Sequence, residues 1–211
     1  DLYQTHWPDW DAPQDEIMLA LDELVRAGKV RILGCSNETT WGLTRSLWAS
    51  DVQGVARYDT IQNNFSLNNR RFEDELAQAC RQEKVSLIPY SPLAGGVLSG
   101  KYNDGAFPEG ARFSLYRNAP ERQRAMMMRF VNDKSIAATA RYQAIAADIG
   151  MSIVTMAIAW SKQHDFVAST IVGATTPEQV PDLLAAADVT LDAETLGRIN
   201  AVSREIPYPM G

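Results

Sequence analysis

The feature that most constrains the fold of this chain is its regular alternation of short apolar segments with amphipathic helical segments. Strands are expected at residues 1–6, 30–36, 59–63, 85–90 and 167–172. Helices are expected at residues 15–27, 41–49, 71–83, 135–149, 152–163, 177–186 and 192–204. Strands that alternate with helices are typical of right-handed βαβ units, in which the strands lie side by side in a parallel sheet. The sequence therefore predicts an α/β fold.

A doubly wound open sheet and a (β/α)8 barrel both satisfy this alternation, and the glycines favour the barrel. A doubly wound dinucleotide fold needs G-x-G-x-x-G directly after a strand, whereas Gly95, Gly96 and Gly100 lie in an irregular stretch at about 91–120. In a barrel, the functional groups gather where the strands end. Polar or small residues follow every expected strand: His6, Ser36 and Asn37, Gln62 and Asn63, Tyr90 and Ser91, Gly173 and Ala174.

The number of strands predicts part of a TIM (β/α)8 barrel. Such a barrel has eight strands and typically about 250 residues, whereas this chain has 211 residues and only five expected strands. A strand at 1–6 would also need an earlier segment to pair with. We therefore expect a single domain over 1–211 that covers about five βα units, with roughly the first three units of the barrel missing.

Charge and composition argue against several classes of protein. The net charge of −6 disfavours a general nucleic-acid binder, which needs a basic face. No run of roughly 18 apolar residues is present, so no membrane span is expected, and the first residues lack the pattern of a signal peptide. Cys35 and Cys80 show no metal-ligand spacing, so we expect reduced thiols, no metal site and a cytoplasmic protein.

Five segments, taken in order, resemble the aldo-keto reductase family. They are DLYQTHWPD (1–9), RAGKVRILGCSNE (26–38), IQNNFSLNNR (61–70), IPYSPLAGGVLSGKY (88–102) and IVGATTPEQ (171–179). Each motif is weak alone, but their order and spacing follow the family from its fourth barrel strand to its end. The GATT segment and the C-terminal EIPYP (205–209) look most similar to the bacterial Tas-type branch of that family.

The resemblance implies a barrel that binds NADPH and reduces aldehydes or ketones to alcohols by hydride transfer. The family's catalytic group is an Asp, a Tyr, a Lys and a His, and only the His has a matched position here, His6. In the family the other three precede the strand matched at 1–6, so the segment alone is expected to be inactive. Two alternatives stay open: a non-catalytic module that senses the cofactor, as in potassium-channel β-subunits, and a fragment with no function of its own.

The residues at the first strand ends suit the roles that the resemblance implies. A neutral His6 imidazole can donate a hydrogen bond to a carbonyl oxygen that gains negative charge. Asn37 and Gln62, beside Ser36, each offer a donor and an acceptor to the nicotinamide amide. The Tyr90 ring can stack on the nicotinamide. Without the resemblance, Ser36 and Asn37 would be interpreted as turn residues, and Tyr90 would fit a core or rim position equally well.

The long loop and the last strand end supply the expected contacts to the rest of the cofactor. Small residues let backbone N–H groups approach the pyrophosphate, and Lys101 and Arg112 can form charge-assisted bonds. The start of the helix after 173–176 is a further phosphate site, capped by Thr175 or Thr176. The expected cofactor contacts here are Ser91, Pro92, Leu93, Gly95, Lys101, Arg112, Gly173, Thr175, Gln179 and Asp182.

Two departures from the family pattern bear on the choice of cofactor. The basic residue that is common at 173–176 is absent, and the Glu-Asn pair that holds the adenine is replaced by Asp182 and Leu183. The family's Gln is retained as Gln179. Arg112 is therefore the leading cation for the 2′-phosphate.

The substrate is indicated only by aromatic residues. An aromatic pocket wall would favour an apolar or aromatic carbonyl compound, although the same residues would also fit a buried core. The residues concerned are Trp7, Trp10, Phe107, Phe113 and Tyr116. No nucleic-acid or membrane partner is expected, and the oligomeric state is not predicted.

Overall fold

A computed structural model describes residues 1–210 and divides them into two compact units. Unit 1 comprises Asp1–Asn64, Phe72–Tyr90 and Asp165–Ser169. Unit 2 comprises Phe65–Arg71, Ser91–His164 and Thr170 onward. The chain crosses between the units several times, so each unit is built from segments that are distant in sequence.

Four strands and nine α-helices make up the regular structure of residues 1–210. The strands are β1 (Leu2–Gln4), β2 (Ile32–Ser36), β3 (Tyr58–Gln62) and β4 (Ser86–Leu87). The helices are α1 (Gln14–Arg26), α2 (Thr40–Gln53), α3 (Leu76–Glu83), α4 (Arg112–Tyr116), α5 (Glu121–Phe130), α6 (Asp133–Asp148), α7 (Ile153–Lys162), α8 (Val180–Ala185) and α9 (Ala193–Glu205). Short 3-10 helices lie at Arg71–Glu73, Ala94–Ser99, Asn103–Gly105, Pro177–Gln179 and Ala186–Asp188.

Unit 1 is built on a parallel sheet with the strand order β1-β2-β3-β4, which confirms the predicted α/β class. Local signals set the connecting helices. The Thr39 side chain accepts a hydrogen bond from Gly42 N and caps α2, which ends at Gly54 in the left-handed conformation. Leu33 and Ile61, on β2 and β3, are almost completely buried. Because parallel strands end at one edge, the residues that follow β1, β2 and β3 share that edge.

The prediction of a fifth strand at 167–172 was wrong. Val167 forms only an isolated parallel bridge to Leu87, with Leu87 N donating to Phe166 O and Ala168 N donating to Leu87 O. In a parallel ladder the next bond in this series would come from the N–H of residue 89. Pro89 has no N–H, so the ladder stops there.

Unit 2 contains α4 to α9, and none of its described residues forms a strand. The expected helices at 135–149, 152–163 and 192–204 are confirmed within two residues at each end. Helix α5 was not predicted, because only Met127 and Phe130 of its ten residues are buried and the segment lacks a clear apolar stripe. Among residues 1–210 no single helix is long and apolar enough to cross a membrane. The segments Glu121–Asp148 and Ile153–Lys162 are long and apolar enough only when taken together, and a bend of 98° separates them.

Candidate functional site

The predicted residues of unit 1 are joined by hydrogen bonds at the carboxyl edge of the sheet. The backbone oxygen of His6, just after β1, accepts a bond of 2.9 Å from Asn37 Nδ2, just after β2. The His6 side chain is exposed and its ring lies 5.5 Å from that of Trp7. The imidazole is therefore open to solvent while its backbone is held by the neighbouring strand end.

Asn37 connects three strand ends through one amide. Its Oδ1 accepts a bond of 2.8 Å from the Tyr90 hydroxyl, and its Nδ2 also lies 3.1 Å from Ser36 Oγ. The backbone of Asn37 has a φ of 57°, a left-handed conformation that asparagine tolerates better than most residues. Both ends of the amide are thus bonded within the protein. A direct bond from Asn37 to a nicotinamide amide stays a prediction.

Ser36 and Gln62 form a second set of bonds at the same edge. The buried Ser36 hydroxyl donates to the backbone oxygen of Gln62 at 2.7 Å. Gln62 Nε2 donates to Gln4 Oε1 at 2.8 Å, and no bond from the described residues reaches Gln62 Oε1. Gln62 therefore presents an acceptor for an amide N–H. Gln4 was missed in the sequence because it precedes the strand end, although the alternation of β1 puts it on one face with Leu2.

A buried carboxyl group lies directly after this edge. Glu38 is 8% exposed, and its Oε2 accepts a bond of 3.1 Å from Thr39 N at the start of α2. Burial raises the pKa of Glu38 above its ordinary range, although the bond from Thr39 opposes this. Gly42 faces the carboxyl group so closely that a Cβ there would overlap Glu38 Oε2. The sequence analysis did not identify Glu38, because its local sequence is the same as that of a solvent-exposed glutamate at the start of a helix.

Unit 2 contains a cavity of about 610 Å³, which lies within the usual range of small-molecule sites. Every cofactor contact predicted between residues 91 and 182 lines it: Ser91, Pro92, Leu93, Gly95, Lys101, Arg112, Gly173, Thr175, Gln179 and Asp182. The sequence analysis did not assign several further lining residues, among them Gly96, Val154, Glu178 and Leu183. Gly96 and Glu178 adjoin predicted contacts, so the motifs themselves could have indicated them.

Two cations line the cavity without a carboxylate partner. Within residues 1–210, neither Lys101 nor Arg112 forms an ion pair, whereas Arg141 and Arg198 of the same unit are paired with Glu205 and Asp148. Arg112 Cζ lies 5.7 Å from the Phe113 ring, and Lys101 Nζ lies 5.5 Å from the ring of Tyr102. Their charges are therefore available to an anion in the cavity.

The small residues of the loop at 91–96 let Lys101 lie against the loop backbone. Ser91, Ala94, Gly95 and Gly96 all have positive φ, and a Cβ at Gly96 would lie 2.9 Å from Lys101 Nζ. Glycine at 96 therefore lets the ammonium group approach the backbone of the loop. Small residues beside an unpaired cation are what a pyrophosphate group requires, so these residues fit that part of a dinucleotide.

The segment at 173–183 differs from the expected capped helix. Neither Thr175 nor Thr176 caps a helix through its side chain; instead Thr175 N donates to Gln179 Oε1 at 2.9 Å. Pro177 and Pro181 also lack an N–H, so this helix start offers few free donors. The predicted side-chain cap is therefore not formed, and a phosphate contact in this segment stays a prediction. Asp182 Oδ2 accepts a bond of 2.8 Å from Ser152 Oγ, which leaves its other oxygen as an acceptor.

The predicted aromatic wall separates into two groups. Phe113, in unit 2, is fully buried, and Tyr102 accepts a bond of 3.1 Å from its N–H, so Phe113 is a core residue and not a pocket wall. In unit 1, Trp7 and Trp10 are 64% and 63% exposed. Trp41, which the sequence analysis did not include, is 60% exposed and its ring lies 6.2 Å from that of Trp10.

Comparisons with known proteins agree with this arrangement. The chain is 38% identical to the protein Tas of Escherichia coli over 226 residues, which cover 99% of this chain and 63% of Tas. It is 31% identical to an NADH-specific methylglyoxal reductase of Escherichia coli, covering 90% of this chain and 55% of that protein. The structure of a glycerol dehydrogenase from Gluconobacter oxydans matches it with a TM-score of 0.77 and 27% identity, covering 99% of this chain and 59% of that one.

The chain thus spans between 55% and 63% of the length of these three proteins. The solved structure matches the α/β fold over nearly the whole chain, in agreement with the barrel-type architecture expected from the order of strands and helices. The model of the Aldo/keto reductase family matches residues 1–204. A match over that share of the sequence shows that this chain belongs to the aldo/keto reductase family.

Proposed function

We propose that the protein takes part in the NADPH-dependent reduction of aldehydes or ketones to alcohols. The observation that carries the proposal is the cavity of unit 2, which is lined by every predicted contact between 91 and 182 and holds two unpaired cations. A phosphate-rich cofactor needs cations and small residues together. The nicotinamide group of the cofactor would supply the hydride when it is bound.

In unit 2, Lys101 and the loop at 91–96 would bind the pyrophosphate, because small residues allow the ammonium group to lie against the backbone. Arg112 would bind the 2′-phosphate of NADPH, since a guanidinium group forms charge-assisted bonds to phosphate oxygens. The free oxygen of Asp182 would accept a bond from the adenine amino group. A similar protein is named for its specificity for NADH. In this chain, the proposed preference for NADPH rests on the contact between Arg112 and the 2′-phosphate.

In unit 1, the strand-end residues would hold the nicotinamide and the reacting carbonyl. Gln62 Oε1 would accept a bond from the nicotinamide amide, and the Tyr90 ring would stack on the nicotinamide ring. The exposed imidazole of His6 would donate a hydrogen bond to the carbonyl oxygen as it gains negative charge. An apolar or aromatic substrate is proposed because Trp7, Trp10 and Trp41 are exposed indole rings in the same unit.

These 211 residues hold no position that matches the family's Tyr, Lys or Asp. We therefore propose that turnover needs a polypeptide that carries those groups together with this segment. General acid catalysis is typically worth 10²–10⁴-fold, so the 211-residue chain alone should bind cofactor and reduce carbonyls at a correspondingly small fraction of a complete reductase's rate. A reducing, cytoplasmic location is proposed because Cys35 and Cys80 are free thiols.

The test combines a binding and a turnover measurement on the 211-residue chain. NADPH is titrated while the tryptophan fluorescence is recorded, and cofactor oxidation is then followed with a panel of aromatic and aliphatic aldehydes. We expect saturable quenching by NADPH and cofactor oxidation about 10²–10⁴-fold slower than that of a complete reductase. A chain that does not bind NADPH would contradict the proposed function.

Rapid turnover that is lost in His6→Ala would contradict only the proposed requirement for additional groups. It would mean that a residue of this segment donates the proton. A matched control is His164→Ala, which removes the only other histidine, a residue of unit 2 packed against the rings of Phe65 and Trp160. This variant should change the stability of the chain without a specific effect on the chemistry.

A further inference from the structure

We propose that the outer face of helix α2 is a docking surface for a second copy of this chain, whose own α2 binds in the antiparallel direction. This face, the α2 stripe, consists of Trp41, Arg45, Trp48 and Val52. Trp48 lies two turns further along the helix than Trp41, a distance of about 10 Å. The substrate wall proposed at the strand ends therefore does not account for Trp48, and the inference goes beyond the proposed function.

Helix α2 has large apolar side chains on two of its faces. Leu43 and Leu47 are buried in the core of unit 1, whereas Trp48 and Val52 are 55% and 65% exposed. A helix on the surface of a protein normally has one apolar face, which it turns toward the core. A second row of large apolar side chains marks an interaction surface, and tryptophan and arginine are enriched in such surfaces.

The central part of the stripe is already ordered before a partner binds. Arg45 Cζ lies 4.2 Å from the centre of the Trp48 ring, and Arg45 forms no ion pair among residues 1–210. A guanidinium group is planar and can stack on an aromatic ring through each of its two faces. One face of Arg45 is therefore available to the Trp48 ring of a second copy, and the ordered pair loses little side-chain entropy when it binds.

The spacing of the stripe fits its own copy. Its residues are separated by four, three and four positions, a pattern that is the same in both directions along the helix. In a two-fold dimer each residue contact occurs twice, with the two copies exchanged. If the axis passes between positions 46 and 47 of antiparallel helices, Arg45 lies opposite Trp48 and Trp41 lies opposite Val52. Every cation then meets an indole ring, and the remaining apolar side chains meet each other.

Charge also favours a second copy at this face. Residues 41–52 carry only two charged side chains, Arg45 and Asp51, and Asp51 is paired with Arg57. The stripe is therefore neutral in a chain whose net charge is −6. Two copies can meet there without the repulsion that their acidic surfaces would otherwise cause.

The area of the stripe predicts a weak dimer. Its exposed side chains would bury roughly 400 Å² per copy, or roughly 800 Å² for the pair. Stable and specific interfaces bury about 1,200 Å² or more, and smaller ones are typical of transient complexes. We therefore expect a reversible dimer that forms only at high protein concentration.

The first test measures the sedimentation of the full 211-residue chain at concentrations from about 1 μM to about 1 mM, the range of weak associations. The wild type should change from monomer to dimer within this range. Trp48→Ala should weaken the dimer at least about tenfold, because each dimer loses two indole rings. Leu184→Ala is the matched control, since it removes an apolar side chain that is similarly exposed but lies on α8. Circular dichroism verifies that each variant is folded.

The second test measures the direction of pairing. Cys35 and Cys80 are buried, so a cysteine introduced at Thr44 or at Gln53 can be spin-labelled selectively. In the antiparallel pair, the two labels of a dimer should lie roughly 10 Å further apart at Gln53 than at Thr44. Parallel helices would give equal separations at the two positions, and that result would contradict the proposed pairing.

Two results of the sedimentation test would overturn the inference. A chain that stays monomeric up to about 1 mM would leave the stripe to a partner of different sequence. A dimer that Trp48→Ala leaves intact would place the interface elsewhere. NADPH binding is measured separately on the same chain, so a failure of this inference and a failure of the proposed function are distinguishable.

Discussion

The two units treat their polar groups in opposite ways. At the strand ends of unit 1, the amide of Asn37 and the hydroxyl of Ser36 are already bonded within the protein. In the cavity of unit 2, Lys101 and Arg112 have no carboxylate partner among the described residues. The difference teaches that unit 1 is suited to holding groups in fixed directions, whereas unit 2 keeps binding capacity for a charged ligand.

The glycines of the two units show the same contrast. A Cβ at Gly34, on β2, would overlap Thr60 Oγ1 and lie 3.0 Å from Gln4. No atom lies within 4 Å of the corresponding point at Gly173, which lines the cavity. The backbone is therefore tightly packed at Gly34 and open at Gly173.

The largest expected effect concerns the charges of unit 2. Arg112→Ala should weaken NADPH binding by about 1.5–3 kcal/mol, the cost of one hydrogen bond to a charged group, and should leave NADH binding nearly unchanged. Fluorescence titration with each cofactor measures this difference. Equal losses for both cofactors would mean that Arg112 does not contact the 2′-phosphate.

Arg117→Ala is the matched control for Arg112→Ala. Arg117 lies in the same segment, with its Cζ 5.0 Å from the Phe107 ring, and does not line the cavity. It should bind both cofactors as the wild type does. A loss of NADPH binding here as well would assign the effect to the general positive charge of the segment.

The next effect compares the packing of the units through their glycines. Gly34→Ala should lower the free energy of unfolding by about 1–3 kcal/mol, since the added methyl group overlaps a neighbouring strand. Gly173→Ala should change it by less than about 0.5 kcal/mol, yet weaken NADPH binding because the methyl group enters the cavity. Urea unfolding and cofactor titration separate the two effects. A strongly destabilised Gly173→Ala would show that the cavity wall is also tightly packed.

The smallest expected effect is that the contributions of Glu38 and Glu178 to stability change with pH in opposite directions. Burial raises the pKa of Glu38 in unit 1, so its stabilising contribution is full below its unfolded pKa and is lost as pH rises through the raised value. Bonds from its own N–H and from Thr176 lower the pKa of Glu178 in unit 2, so its contribution is present above the unfolded pKa and is lost as pH falls.

Urea unfolding at a series of acidic pH values measures how the stability contributions of both glutamates depend on pH. Glu38→Gln should remove a loss of stability that accompanies rising pH, and Glu178→Gln should remove a smaller loss that accompanies acidification. The same sign for both variants would contradict the raised pKa of the buried Glu38. Glu178 is exposed, so solvent screening keeps its effect small.

The sequence predicted the positions of the first four strands because apolar runs and their turn residues are local signals. The sequence predicted too long a β4 and a strand at 167–172 that does not form. The cause is a hydrogen bond that Pro89 cannot donate to a segment nearly eighty residues away in the chain, and a local pattern does not reveal such a loss. It missed α5, whose amphipathic pattern is weak. The cavity residues were predicted from motifs, and their common position in one cavity was visible only in the structure.

The amino-acid sequence by itself determined the alternation of strands and helices, the family, and the chemical types of the candidate site residues, because each depends on local pattern and residue chemistry. Only the tertiary structure decided which polar groups are already bonded and which are open to a ligand. Thr175 and Asn37 look equally available in the sequence, yet Gln179 engages the first and Tyr90 the second. Hydrogen-bond partners depend on which groups folding brings within about 3 Å, and that distance is set by the packing of segments far apart in the chain.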